Sequence, residues 1–301
     1  MSIETFKRAT PWFIKIPVKI ILSRIPIGWR TWQRLKLFRA GAMDEPGYAF
    51  DIFKKHLQAA GFSTLQNRTV LELGPGNSQL TALYARSMGA AKTWLVDSEK
   101  LASENTAILA RAEQMLSTMK LPAPGVGSMI SMTAALERLN AVYLTEGVAS
   151  LRTIPTGSVD FLFSNAVLEH VRLSDFPDVA GEMRRILNPN GVSSHVIDFR
   201  DHLQNGLNNL RFSERVWESK FMASSGFYTN RLTWPAMQKI FEQNGFSVEL
   251  LASELWPDPL PTPQSKMAVP FKNLPREELM VMGAHVVLRP RADIGGSAKL
   301  R

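Results

Sequence analysis

The chain has 301 residues, 45% of them hydrophobic, with 35 basic and 27 acidic side chains, a formal charge of +8 and no cysteine. The missing cysteine excludes disulfides, thiolate metal ligands and a cysteine nucleophile, and suits a reducing compartment. Nine of the 35 basic side chains and one of the 27 acidic ones fall in residues 1–40; the remaining 261 residues hold 26 of each, which argues against a broad basic face for nucleic acid.

That basic N-terminal arm, residues 1–44, is cut into short pieces by Pro11, Pro17 and Pro26. Lys15, Lys19 and Arg24 interrupt its apolar stretch, so neither a signal peptide nor a membrane-spanning helix is expected. Trp29, Trp32, Leu35 and Phe38 recur on one face of a possible helix from Gly28 to Phe38. With Trp12 and Phe13 they offer interfacial aromatics among basic residues, the composition of a segment that touches an anionic membrane surface; packing onto the main body is the alternative use. A helix is expected over Tyr48 to Ala60, stopped by Gly61.

Next comes Val70-Leu71-Glu72-Leu73-Gly74-Pro75-Gly76-Asn77-Ser78, an apolar run, an acidic residue and two glycines, followed by a helical pattern from Ser78 to Met88. Glycine serves where the backbone takes positive φ or lies against a ligand, and a helix start offers unpaired N–H groups. The turn therefore suits a nucleotide-like molecule. It lacks the third glycine of the GxGxxG dinucleotide pattern. A second apolar run, Lys92 to Val96, ends at Asp97, 21 positions after Gly76, where a carboxylate accepts from ribose hydroxyls. The bland use of Asp97 is to cap a helix over Lys100 to Lys120.

Pro122 to Gly127 reads as a loop, Thr133 to Asn140 as a short helix, Ala141 to Leu144 as a third strand and Val148 to Gly157 as a loop. Three further segments complete the pattern: Gly157-Ser158-Val159-Asp160-Phe161-Leu162-Phe163-Ser164-Asn165-Ala166-Val167-Leu168-Glu169-His170-Val171, then Glu182 to Val192, which includes Asn188-Pro189-Asn190-Gly191, and the apolar run Ala284 to Leu288.

Together these motifs resemble the class I S-adenosylmethionine-dependent methyltransferases over residues 45–290. The resemblance implies an α/β fold, a doubly wound Rossmann-like seven-stranded sheet with its last strand antiparallel, carrying an N-terminal arm and insertions at about 120–140, 203–230 and 256–280, with residues 291–301 as a flexible tail. It also implies S-adenosyl-L-methionine as cofactor, bound through Glu72, Gly74, Gly76, Asp97 and Asn165. Val148 departs from the family, which often has an adenine-binding aspartate there; Glu146 stands two residues earlier as a substitute.

Methyl transfer to a hydroxyl needs an aligned acceptor and a group that takes its proton, and histidine titrates in the useful range. Of His56, His170, His195, His202 and His285, two lie in Ser193 to His202, the fifth strand and its exit, at the strand ends where open α/β sheets bind ligands. His195 and His202 are thus the expected catalytic bases, with Asp198 or Asp201 orienting or binding. His195, Asp198 and His202 as metal ligands, and structural hydrogen bonding, remain alternatives. His56 and His285 are expected to be structural, and His170 to be structural or on the cofactor side. Residues 207–229 are rich in aromatic and amide side chains, which suits a polyhydroxylated acceptor and equally an ordinary lid. The expected activity is O-methylation of a small-molecule or glycan acceptor by a cytoplasmic or membrane-peripheral enzyme, in which whole-chain likeness suggests a role in bacterial surface-polysaccharide assembly. An NAD-dependent oxidoreductase and a non-catalytic cofactor-binding scaffold are the rival expectations.

Overall fold

The computed structural model describes residues 42–292 and, before them, Phe13 and Pro17. The rest of the arm up to residue 41 and the residues from Asp293 onward therefore lie outside the described residues, and with them the expectations of a helix over 28–38 and of a flexible tail.

Seven strands form one sheet: β1 (Thr69–Leu73), β2 (Lys92–Val96), β3 (Ala141–Leu144), β4 (Val159–Asn165), β5 (Leu187–Asp198), β6 (Phe246–Leu255) and β7 (Val281–Pro290). Their order is β3-β2-β1-β4-β5-β7-β6. The first five are mutually parallel, and β7 runs antiparallel to both β5 and β6. Parallel neighbours need crossovers, and the apolar-periodic segments between the strands provide them as helices on both faces.

One face is covered by α1 (Pro46–Ala59), α2 (Leu80–Ser87), α3 (Ala107–Thr118) and α4 (Met132–Arg138), packed around Phe161, Phe163, Val192 and Val287. The other is covered by α5 (Val148–Thr153), α6 (Phe176–Ile186) and, after the short helices α7 (Glu214–Trp217) and α8 (Lys220–Ala223), by α9 (Trp234–Gln243), packed around Leu71, Leu162, Ile197 and Val286. A last short helix, α10 (Arg276–Met280), leads into β7. The doubly wound sheet with its antiparallel last strand is thus borne out. The strand order reverses beside β1, which puts a crevice at the carboxyl ends of β1 and β4.

Two local expectations are corrected, and the sixth strand is longer than its apolar run. The helix after β2 begins at Ala107 rather than Lys100. The Tyr143 hydroxyl accepts the N–H groups of Leu101 (3.2 Å) and Ala102 (3.3 Å), holding the intervening segment as a loop. Val148 to Thr153 is a helix rather than a loop, entered through Gly147 at φ +54°. β6 continues to Leu255, through a register shift between Leu250 and Ala252.

Candidate functional site

The turn after β1 is built on backbone strain that only glycine relieves. Gly74 has φ +75°, and a Cβ there would sit 2.4 and 2.8 Å from the two methyl carbons of Val167. Gly76 has φ +64° with open space where a Cβ would stand. The first glycine is required for close approach to the loop after β4, the second for conformation beside open space.

Glu72 is 2% exposed, with Oε2 lacking a hydrogen-bond partner. Burial, with the Asp97 carboxylate adding to it against the Thr81 hydroxyl, raises its pKa to about 8. Asp97, also buried, accepts from Gly76 N–H at 3.2 Å and Ser98 N–H at 2.8 Å. The parallel register sets Leu73 against Val96 and brings Glu72, Gly76 and Asp97 to one strand edge. Asn77 carries a further orphaned buried oxygen, Oδ1, while its backbone carbonyl accepts from Ser103 N–H at 3.0 Å and ties this loop to the one after β2. Two unsatisfied buried oxygens and a glycine turn over open space fit a polar, nucleoside-bearing ligand. Asn165 is half-buried at the end of β4, beside Val196 of β5. On the adenine side, Val148 is the first residue of α5 and packs with the apolar cluster there, and Glu146 is exposed.

The expected bases separate. His195 is 0% exposed, its Nδ1 2.7 Å from the Ser164 hydroxyl, its Nε2 against the Ser193 hydroxyl and its ring stacked on Phe241. Burial, and secondarily His285, lowers its pKa to about 3. With both ring nitrogens engaged inside the core, it is corrected from base to structural residue. Strand alternation sends Asp198 to the opposite face, where Arg200 grips it through Nε and Nη2, both at 2.8 Å. His195, Asp198 and His202 therefore do not converge; among the described residues no group of three His, Asp or Glu is placed to hold a metal. Asp201 is a loop knot, accepting from the N–H groups of Leu203 (3.0 Å), Gln204 (2.6 Å) and Asn208 (2.6 Å).

His202 pairs instead with His170, their rings edge-on at 4.7 Å. His170 Nδ1 lies 2.9 Å from the Tyr228 carbonyl oxygen, which can only accept, so in the neutral ring Nδ1 carries the proton and Nε2 the lone pair. Desolvation lowers the pKa of His170 against opposing pulls from that carbonyl and Asp198. Next to it, Glu169 is 2% exposed with neither carboxyl oxygen in hydrogen-bond geometry, and burial raises its pKa to about 8. Sequence reasoning passed over Glu169; the signal was an acidic residue inside an otherwise apolar turn. Segment 228–231 is pinned over this turn: Asn230 donates through its backbone to Glu169 O (2.7 Å) and through its side chain to Leu168 O (2.8 Å) and Val171 O (3.0 Å).

Residues 71–194, from within β1 to within β5, match the family model described as a methyltransferase domain. No curated protein matches the chain in sequence. Among solved structures, the YcgJ protein of Bacillus subtilis is 15% identical, over 80% of this chain and 98% of its own, with a TM-score of 0.45. Phosphoethanolamine N-methyltransferase 2 of Haemonchus contortus, solved with S-adenosyl-L-methionine, is 12% identical over 80% of this chain and 53% of its own, with a TM-score of 0.45. An S-adenosylmethionine-dependent methyltransferase of Mesorhizobium loti is 18% identical over 77% and 95%, with a TM-score of 0.42. The stretch that matches the methyltransferase-domain model contains Glu72, Gly74, Gly76, Asp97 and Asn165, the residues expected to hold S-adenosyl-L-methionine.

Proposed function

We propose that the chain transfers a methyl group from S-adenosyl-L-methionine to an oxygen of a small-molecule or glycan acceptor, with His202 and His170 as the pair that receives the acceptor's proton. The observation that carries the proposal is the ring pair at 4.7 Å, at the same carboxyl edge of the sheet as the glycine turn. The cofactor supplies a methyl carbon made electrophilic by its sulfonium. Glu72, Asp97 and Asn165 hold it, with Gly74 and Gly76 shaping the turn beneath.

On the acceptor side, the His170 tautomer leaves Nε2 basic, and a lowered pKa keeps that ring neutral near pH 7. A hydroxyl held at roughly 3 to 3.5 Å from the donor's methyl carbon would pass its proton to the pair, the new C–O bond replacing the C–S bond and S-adenosylhomocysteine leaving. The Asp198–Arg200 pair supplies polar groups for a hydroxylated acceptor, and the aromatic and amide side chains of residues 207–229 support a glycan as its class. A cytoplasmic setting and a place in surface-polysaccharide assembly belong to the same proposal, as does salt-sensitive attachment of the basic arm to anionic membrane. Co-sedimentation with anionic vesicles, with and without residues 1–40, tests the arm; no helix among the described residues is long and apolar enough to cross a membrane.

The deciding experiment uses methyl-labelled cofactor and fractionated cell extract. Label should enter an acceptor through an ether or ester oxygen, and His202→Gln or His170→Gln should lower that incorporation by roughly 10²- to 10⁴-fold. Label on nitrogen or carbon overturns the oxygen assignment, and thermal stabilisation by NAD alone overturns the cofactor.

A further inference from the structure

Helices α2 and α3, of eight and twelve residues, both begin at one cavity of about 160 Å3, far more than the ~10–15 Å3 that a single water needs. Leu80 opens α2 there and Ala107 opens α3. Neither helix has an acidic residue in its first turn, and neither N-cap side chain, Gln79 or Thr106, caps it. Two positive helix ends therefore meet at the cavity with no carboxylate in either first turn to offset them. None of Glu72, Gly74, Gly76, Asp97 and Asn165 lines it, so it lies beside the glycine turn and outside the hold on the cofactor.

The lining side chains add donors that lack acceptors. Asn77 and Gln79, 7% and 6% exposed, each have an amide oxygen buried without a partner. Whichever way such an amide is turned, one end stays unpaired in the wall and the other meets the cavity, and an acceptor placed there draws both NH2 groups toward itself. Ser78 Oγ accepts from Leu80 N–H and Ser103 Oγ from Asn105 N–H, both at 3.2 Å, so each hydroxyl still has its proton to give. Arg111 brings a cation; its Nη2 is held 2.5 Å from Glu45, and its other guanidinium N–H groups remain to donate. Against these stands one lining carboxylate, Asp44, which is exposed and directly precedes Glu45, the N-cap of α1.

We propose that this cavity binds a phosphate group, free or carried as a small monoester, between the starts of α2 and α3, with the Asn77 and Gln79 amides, the Ser78 and Ser103 hydroxyls and Arg111 as its donors. A tetrahedral oxyanion accepts from several directions at once, which matches donors converging from two helix ends and five side chains. Asp44 opposes the anion and loosens its hold. The Asn77 carbonyl oxygen accepts from Ser103 N–H at 3.0 Å, so a phosphate here bridges the loops after β1 and β2, next to Gly76 and Asp97. The inference goes beyond methyl transfer and holds for any acceptor.

The test is titration calorimetry on the full chain with inorganic phosphate and, separately, glycerol phosphate, chloride holding the ionic strength constant. One equivalent should bind with a Kd of ~1 mM or below, and the tighter of the two probes tells whether the free ion or a monoester is the ligand. Arg111→Gln and Gln79→Leu should each weaken binding about fivefold, and Asp44→Asn should tighten it about twofold. Arg111 and Asp44 are exposed, so their variants read the site even where Gln79→Leu does not fold. Saturating S-adenosylhomocysteine should leave the phosphate affinity within about twofold, since the two sites share no assigned residue. Absence of saturable binding by both probes, competition with S-adenosylhomocysteine, or indifference to Arg111→Gln overturns the inference. Weaker phosphate binding in Asp44→Asn also overturns it. A chain that binds phosphate in this pattern but no S-adenosylhomocysteine keeps the inference and overturns the methyltransferase reading.

Discussion

Ser164 on β4 and His195 on β5 face each other across the parallel register with hydroxyl and Nδ1 2.7 Å apart, on two side chains that are both 0% exposed. Such a bond fixes a ring rather than freeing it for chemistry. Replacing His195 by Leu leaves the hydroxyls of Ser164 and Ser193 without their partner, a loss of about 1–3 kcal/mol. The expected outcome is a lower denaturant midpoint with turnover per folded molecule within about threefold of wild type. His202→Gln should do the reverse, lowering turnover while leaving the denaturant midpoint near that of wild type.

Gly74 and Val167 make a second testable contact. Gly74→Ala puts a methyl group 2.4 Å from a Val167 carbon, at φ +75°. The strained backbone alone costs on the order of 1–3 kcal/mol, and displaced Val167 disturbs the loop that follows Asn165. Cofactor affinity should fall at least tenfold by calorimetry. Adding Val167→Ala should restore part of the affinity and little of the backbone strain, so recovery will be incomplete.

The buried carboxyl of Glu169 gives the fold a pH dependence whose sign follows from its pKa. Its folded value is about 8 against an ordinary 4.5, so between these values the unfolded chain releases the proton while the folded one keeps it. The contribution is fully present below about pH 4.5 and is lost as pH rises through 8, an upper bound of ~5 kcal/mol that water penetration reduces. Glu169→Gln imitates the protonated form. Its thermal midpoint should exceed that of wild type by a margin that widens from pH 5 to pH 8.5 and then levels. Parallel curves would show that Glu169 is ionised in the folded chain.

Arg231 closes the segment above the histidine pair. Its side chain is 2% exposed, with the guanidinium 5.5 Å from the Trp217 ring centre and 5.1 Å from that of Phe271, and Nη1 donating to Phe212 O at 2.7 Å. Arg231→Met keeps the stem but strands that carbonyl and the nearby Glu218 carboxylate, for about 2–3 kcal/mol. Limited proteolysis should cut residues 203–230 faster, with a change in Trp217 fluorescence, while the sheet persists. Unchanged cleavage would mean that the aromatic contacts alone hold the segment.

The sheet and the glycine turn at its edge were legible in the sequence because each depends on short-range order. Leu71 to Gly76 and Trp94 to Asp97 carry strand, turn and acidic residue within six positions, and the register of two parallel strands does the rest. The histidines were not legible in the same way. Alternation along β5 separated His195 from Asp198, but nothing local tells which face receives α9 and Phe241 and which meets α1 and His56. The pairing of His170 with His202 depends on a turn after β4 and an exit from β5, 32 residues apart in the chain. Glu169 lay unremarked as an acidic residue among the apolar side chains of its turn, and only burial made it exceptional.

Two small apolar clusters, one of Leu203, Trp217, Met222, Phe227 and Tyr228 and one including Leu207, Leu210, Trp256, Leu260 and Phe271, stand apart from the two cores that flank the sheet. A lineage can therefore remodel the roof without renegotiating the foundations. On the function proposed above, substitutions among these side chains would alter the shape offered to an acceptor while Glu72, Gly74 and Asp97 keep their surroundings, so appetite for new acceptors could drift at little cost to the grip on the methyl donor. A chimaera that exchanges residues 203–230 for those of a relative with another acceptor is the natural place to begin redirecting this chain.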